Sequence, residues 1–349
     1  QSNHYKVGAI KSNEKASHVL IDKCQFLNCA VKSDNENGGA INFINCAVQC
    51  QRSDFIGCKS TTGGKGGGIY LTVNRSVNEK TLIEDCTFKG NKAHQNGGAL
   101  LINSKNNIVI DGCHFIDNVA QVDPNNEDYG NGAAICLDFT VTYVPPECQI
   151  INCDFNHNSG RCDSALFFKG PKKCLIDVLE CEFTNNVANK DIIYSSSENV
   201  RIHDINFEFQ NGNEKARPIH LIESSDTEVY DVQFIKCSMN EALGSALKAE
   251  VGIANLNVHE CNFEDCQDST AAVYCAGSPA TFANDNFYCK SNPKTAGLYI
   301  ESSGKIDILL CTFDHLKKNS ASPLHIVSDN NQVDDFTVSG VVFSDCYGD

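Results

Sequence analysis

A phenylalanine that returns twelve times, at Phe26, Phe55, Phe88, Phe115, Phe155, Phe183, Phe207, Phe234, Phe263, Phe287, Phe313 and Phe343, constrains this chain more than any other feature. The intervals run from 24 to 40 residues, and each copy sits in the same local order. A glycine-rich corner comes first, as in Gly38-Gly39-Ala40-Ile41, Gly66-Gly67-Gly68-Ile69, Gly97-Gly98-Ala99-Leu100 and Gly132-Ala133-Ala134-Ile135. A short apolar strand follows, then a Cys-x-Phe-x-x-Asn signature such as Cys113 to Asn118. Self-similarity at this period is the mark of a solenoid, in which each unit buries its apolar face against its neighbours. It overrides the two globular domains that 349 residues would otherwise suggest.

Within a unit the apolar residues alternate with period two after the glycine corner: Ile69/Leu71/Val73, Leu100/Ile102, Ile135/Leu137/Phe139, Leu298/Ile300 and Leu324/Ile326. Such alternation marks a half-buried strand. A second ladder lies five residues before the signature Phe, at Ile21, Ile83, Ile110, Ile150, Val178, Ile202, Val229, Val258, Ile308 and Val338. The Cys-x-Phe pair supplies a third strand. Three short strands per coil with no helical period between them predict an all-β fold, a single-stranded parallel β-helix of about twelve coils. At one strand spacing per coil its length is about 58 Å. The solenoid is expected to run through residues 1–349 as one domain. Neither end carries a polar cap, so it is read as a segment of a longer array. Loop insertions break the period near 72–80, 119–131 and 140–148, the last with Pro145-Pro146.

Composition narrows the partners. There are 44 acidic against 28 basic residues, a net charge of −16, and no basic tract. That balance repels phosphate backbones and excludes nucleic acid as a partner. No apolar run reaches the length of a transmembrane segment. Twelve of the 20 cysteines are locked to the repeat. Cys24, Cys86, Cys113, Cys153, Cys181, Cys261 and Cys311 stand two residues before a signature Phe, while Cys29, Cys58, Cys237, Cys266 and Cys346 stand three after one. They read first as small buried side chains stacked coil on coil, with disulfides as the alternative. Paired zinc knuckles are missing, so no metal is expected there. No cofactor is implied. Asn91, Asn118, Asn158 and Asn186 follow their Phe by three residues and predict a stacked amide ladder.

The alternation of Gly-Gly-Ala-[Ile/Leu/Val] (Gly38 to Ile41, Gly97 to Leu100) with Phe-x-x-Asn (Phe88 to Asn91, Phe115 to Asn118, Phe155 to Asn158, Phe183 to Asn186) resembles the polymorphic outer membrane protein repeat. That repeat occurs in chlamydial autotransporters and trichomonad surface proteins. The resemblance is best from about residue 38 to 190; beyond it Gly244-Ser245-Ala246-Leu247 and Ala271-Ala272-Val273 are degenerate and Cys often replaces Asn. It implies a right-handed, pectin-lyase-like β-helix displayed at a cell surface and used in adhesion.

Many β-helices of that shape degrade acidic polysaccharides, through a carboxylate cluster with an Arg or Lys base or through paired Asp residues. This chain has no Asn-Thr-Asp, Gly-His-Gly or Arg-Ile-Lys; Asp334-Asp335 lacks companions and Arg201-Ile202-His203 departs from the last of these. No catalytic residue is assigned. Asp123, Glu127 and Asp128 in the second insertion form a weak calcium candidate without an established spacing. An acidic column three residues before the Phe (Asp85, Glu180, Asp204, Asp231, Glu260) is explained by tolerance of corner backbone. The candidate binding residues are Tyr70, Phe167, Tyr194, His220, Tyr274, Tyr299 and His325, in an outward column that also holds Leu101, Cys136 and Lys248. Exterior strand positions are ordinarily polar, so rings there suggest a flat docking surface for sugars or a protein; the bland alternative is that they cover the sheet. The function expected is non-enzymatic adhesion or extracellular assembly, extracellular or at a cell surface. The partner expected is a host or neighbouring cell-surface protein or glycan, or another copy of the chain. A polysaccharide lyase or glycosidase and a laterally packed structural rod are the alternatives.

Overall fold

The computed structural model describes residues 8–13, 18–31, 34, 36–73, 80–121, 130–139, 146–160, 163–170, 174–188, 190–209, 216–277, 279–289, 296–302, 304–318, 322–328 and 335–348. Among them every regular element is a strand, and the strand pairing is parallel throughout. The fold is an all-β parallel solenoid of about ten turns, slightly fewer than the twelve expected.

The chain forms two compact units, residues 1–177 with 181–192, and residues 178–180 with 193–349. In the first unit the strands after the glycine corners pair in chain order: Ile10–Asn13, Ile41–Ile44, Ile69–Val73, Leu100–Ser104, Ile135–Asp138 and Asp163–Lys169. The Phe strands Gln25–Leu27, Asp54–Ile56, Thr87–Lys89, His114–Ile116, Asp154–Asn156 and Glu182–Thr184 pair with Phe opposite Phe at every step. In the second unit the corner strands Arg217–Leu221, Leu247–Ala249, Ala271–Ala276, Ala296–Ser302 and Leu324–Ser328 pair in the same way. Two ten-residue strands, Asn199–Glu208 and Asp226–Ile235, run through the second and third strand positions without a break.

Inside, like residues stack on like. Rings Phe26 to Phe183 lie 4.7–5.0 Å apart and within 7° of parallel, which is the strand spacing itself. Phe207 to Phe343 continue this in the second unit at 4.7–5.5 Å. The four asparagines form the expected ladder. Asn91 Nδ2 donates to Asn118 Oδ1, Asn118 to Asn158 and Asn158 to Asn186, each at 3.0 Å. The same amides donate to the carbonyls of Phe55, Phe88, Phe115 and Phe155 in the preceding coils. Where Cys replaces Asn it keeps that contact: Cys58, Cys266 and Cys346 direct Sγ to the carbonyls of Phe26, Phe234 and Phe313 at 3.3–3.6 Å.

Corners explain the glycines and the acidic column. Gly97 has φ +70°, and a Cβ on Gly98 would strike the Ala133 carbonyl of the next coil, so neither corner tolerates a side chain. Asp85, Glu180, Asp204, Asp231 and Glu260 all have φ of 50–58°, at the corner between second and third strands. No disulfide joins the described cysteines, and all but Cys24, Cys29 and Cys346 are buried. Two expected core ladders open at the last described coil: Leu324 and Ile326 are half-buried and Val338 is 50% exposed. No further described coil lies over them. Most of the three insertions, including Pro145, lies outside the described residues.

Candidate ligand-binding face

Each corner strand turns alternate side chains inward and leaves the next outward, so the outward residues align when the strands are in register. In the second unit they do: His220 pairs with Lys248, Lys248 with Tyr274, Tyr274 with Tyr299, and Tyr299 with His325. Tyr194 meets His220 edge-on, with ring centroids 5.4 Å apart at 86°. Tyr274 and Tyr299 stack at 5.7 Å and 19°, and Tyr299 and His325 at 4.8 Å and 2°. The flat aromatic surface expected from the sequence therefore takes another form. The rings spend their faces on one another along the column; Tyr274 is buried, at 5% exposed, and Tyr194, His220, Tyr299 and His325 are half-buried. A sugar that packs on a ring face meets few free faces here.

The polar chemistry of this face comes from a second outward column, two residues further along each strand. Glu250 accepts from His220 Nε2 at 3.0 Å and from the Lys248 ammonium through the same Oε1. Partial burial works against the anion, yet Lys248 and His220 hold the carboxyl below its ordinary range. Tyr274 donates its hydroxyl to Glu301 Oε2 at 2.8 Å. Burial first, then the Glu301 carboxylate, pushes the Tyr274 phenol well above its usual value, and Tyr299 is raised for the same reasons. Ala276 pairs with Glu301 on one side, and its peptide neighbour Cys275 pairs with Ala249 beside Glu250 on the other. A small side chain thus separates two carboxylates, each held by partners from the ring column. Sequence reasoning missed both acids, though simple alternation from Lys248 and Tyr299 would have placed them outward.

In the first unit the column runs Tyr70, Leu101, Cys136, Phe167 by direct pairing. Leu101 and Cys136 are 5% and 2% exposed, and Tyr70 and Phe167 are half-buried. This stretch is apolar and largely closed.

A second ring ladder also escaped the sequence analysis. His203, Tyr230 and His259, each four residues before a signature Phe, stack at 4.4 Å and 5.0 Å. His203 Nδ1 pairs with Asp204 at 2.7 Å, and Glu228 lies 3.5 Å from Arg201 and 3.7 Å from His259. Its rings are held between acids, and Arg201 is committed to Glu228. The calcium candidate Asp123, Glu127 and Asp128 lies outside the described residues, and so does Asp334. Among the described residues one trio of metal-type donors gathers within 4.8 Å: Asp314, His315 and Asp345. His315 Nδ1 is engaged by Asp314 Oδ1 at 2.8 Å, and His315 Nε2 lies 3.9 Å from Asp345.

These observations define a class before any comparison: a parallel β-helix with stacked interior ladders and a polar, ring-lined outer face. Residues 133–313, more than half of the chain, match the family model of the right-handed β-helix region, and the chain belongs to that family. Residues 85–103 match the Chlamydia polymorphic membrane protein repeat. That stretch contains Cys86, Phe88, Asn91 and Gly97 to Leu100, so both halves of the repeat motif lie in it. Neither the curated proteins nor the solved structures contain a match. No helix among the described residues is long and apolar enough to cross a membrane.

Proposed function

We propose that this chain is a non-enzymatic cell-surface or secreted β-helix protein that acts in adhesion or extracellular assembly. Its binding surface is the outer face of the second unit around Tyr194, His220, Tyr274, Tyr299 and His325. The observation that carries the reading is the pairing of a ring column with two anchored carboxylates, Glu250 and Glu301, on one regular sheet face. Such a face offers the half-buried rings of Tyr194, His220, Tyr299 and His325 beside two fixed carboxylates, which suits a neutral or amine-bearing glycan or a protein surface. The family and the repeat match support display outside the cell. The residues that acidic polysaccharide enzymes place around a scissile bond are not in the sequence, and the net charge of −16 disfavours an acidic polymer as ligand.

The test is binding of the purified chain to a broad glycan and cell-surface panel, with released sugars analysed in the same wells. Saturable binding without products, reduced at least tenfold by Tyr194→Ser, Tyr274→Ser and Tyr299→Ser together at unchanged β-sheet circular dichroism, supports the assignment. Binding that the triple variant leaves intact removes this face from it. Products with a new double bond or a new reducing end overturn the non-enzymatic reading.

A further inference from the structure

The inner corner two residues before each signature Phe makes the same two demands at successive rungs. At Ser53, Oγ accepts the N–H of Cys24 from the coil before at 3.0 Å and donates to the Gln51 carbonyl at 2.8 Å. The thiols there also donate. Cys113 directs Sγ to the carbonyls of Asp111 and Ile83 at 3.3 and 3.6 Å, and Cys153 to those of Ile151 and Ile110 at 3.1 and 3.7 Å. In the second unit Cys261 reaches His259 and Val229, and Cys311 reaches Leu309 and Phe282, at 3.4–3.5 Å. The position therefore wants a small group that accepts from one N–H and gives one hydrogen to a carbonyl.

Asp285 occupies this position between Cys261 and Cys311, and it is fully buried. Its Oδ1 meets the first demand by accepting the Cys261 N–H at 2.9 Å. Its Oδ2 is buried without a partner. An ionised carboxylate has no hydrogen to give, and the carbonyls that correspond to the thiols' acceptors, those of Ala283 and Val258, are acceptors too. A buried anion in such a place is disfavoured by lost hydration, and Oδ2 has no donor to offset it.

We propose that Asp285 is carried in the folded protein as the neutral acid, its carboxyl O–H donating to the Ala283 or Val258 carbonyl as a ladder thiol does, so that acidification tightens the second unit. The titratable groups facing it are the Cys261 and Cys311 thiols on the rungs either side and Glu260 at the adjoining corner. Burial outweighs the backbone groups of Cys261 and Ala283 and lifts the Asp285 carboxyl to about 8. With the folded-state value raised, the contribution is fully present below the ordinary carboxylate value. It is lost progressively as pH rises through about 8, where it levels off.

The experiment compares the full chain with Asp285→Asn, which keeps one acceptor and one donor at every pH, and with Asp285→Ser, which copies Ser53. Denaturant unfolding is followed across pH, and the infrared spectrum of the folded wild type is recorded near neutral pH. The folding constant of wild type relative to Asp285→Asn is expected to fall about tenfold per pH unit between about pH 5 and 7 and to flatten above about 8. The infrared spectrum is expected to show a protonated carboxylic acid band that both variants lack. Parallel pH profiles for wild type and Asp285→Asn overturn the proposal. Absence of the acid band in folded wild type overturns it independently of how the variants fold.

Discussion

Asn118 Nδ2 donates to Asn158 Oδ1 at 3.0 Å across a sequence separation of 40 residues, and both side chains are fully buried. That separation includes the second insertion, so the ladder holds its register across the largest break in the repeat. Asn91, Asn118 and Asn158 each have a donor to a Phe carbonyl, a donor to the next amide and an acceptor for a backbone N–H. The residue is specified by this count as much as by its size.

Replacing Asn118 by Ala leaves the Phe88 carbonyl and the Asn91 amide without their partner. The expected loss is about 2–4 kcal/mol, the cost of several buried groups left unsatisfied. Asn118→Cys should cost less, because Cys58, Cys266 and Cys346 fill the same position with an Sγ contact to the Phe carbonyl. Urea unfolding of the three proteins decides it; equal losses for Ala and Cys would refute the equivalence.

Phe263 is buried between Phe234 and Phe287, whereas Phe343 is 51% exposed. Phe263→Ala should destabilise by about 3–5 kcal/mol through the cavity it leaves. Phe343→Ala should cost markedly less. Matched unfolding midpoints would show that position along the ladder does not govern the energetics.

Thiol reactivity should follow burial. Under native conditions Cys24, Cys29 and Cys346 should react first among the described cysteines, and the rest only on unfolding. Burial raises the thiols of Cys113, Cys181 and Cys261 well above their ordinary value, which keeps them protonated as well as shielded. Labelling followed by peptide mapping reads this directly. Rapid native labelling of Cys113 or Cys261 would contradict the closed ladder.

Glu250 is held below the usual carboxylate range, so its contribution is present above its unfolded value and is lost as pH falls through the folded one. Its side chain is 39% exposed, so solvent screens the pair, and Glu250→Gln should change stability by less than about 1 kcal/mol. Ligand affinity should respond more strongly, since the variant removes the charge and turns one acceptor oxygen of the proposed face into a donor. An unfolding curve and a binding curve on the same sample separate the two effects.

The interior of this fold was legible in the sequence because its signals repeat: Phe, Asn and Cys recur at fixed offsets, and strand register then follows. The outward column from His220 to His325 was legible for the same reason. What the rings do was not, because the spacing of neighbouring strands, which no single repeat reveals, decides whether Tyr299 faces solvent or Tyr274. Glu250 and Glu301 were passed over because they do not recur in every coil. Asp285 was hidden by the opposite error, one polar letter in a column of thiols that reads as a simple departure from the motif. The open ends of Leu324 and Val338 depend on which neighbours are present, which periodicity does not carry.

The left-handed corners have a consequence for how such a surface can change. Lys23, Arg52, Glu180, Asp231 and Leu310 all occupy the same corner geometry, at φ of 47–56°. The non-glycine residues there bear a backbone cost of roughly 1–2 kcal/mol each, set against the stacked interior beneath them. Asp and Asn bear that cost most readily, yet Lys23, Arg52, Glu180 and Leu310 are carried there too, so the corner works as a row of sockets open to many side chains. A lineage can rewrite the charge of this edge one socket at a time, from Glu180 through Asp204, Asp231 and Glu260 to the uncharged Asn284 and Leu310, while the scaffold below stays the same.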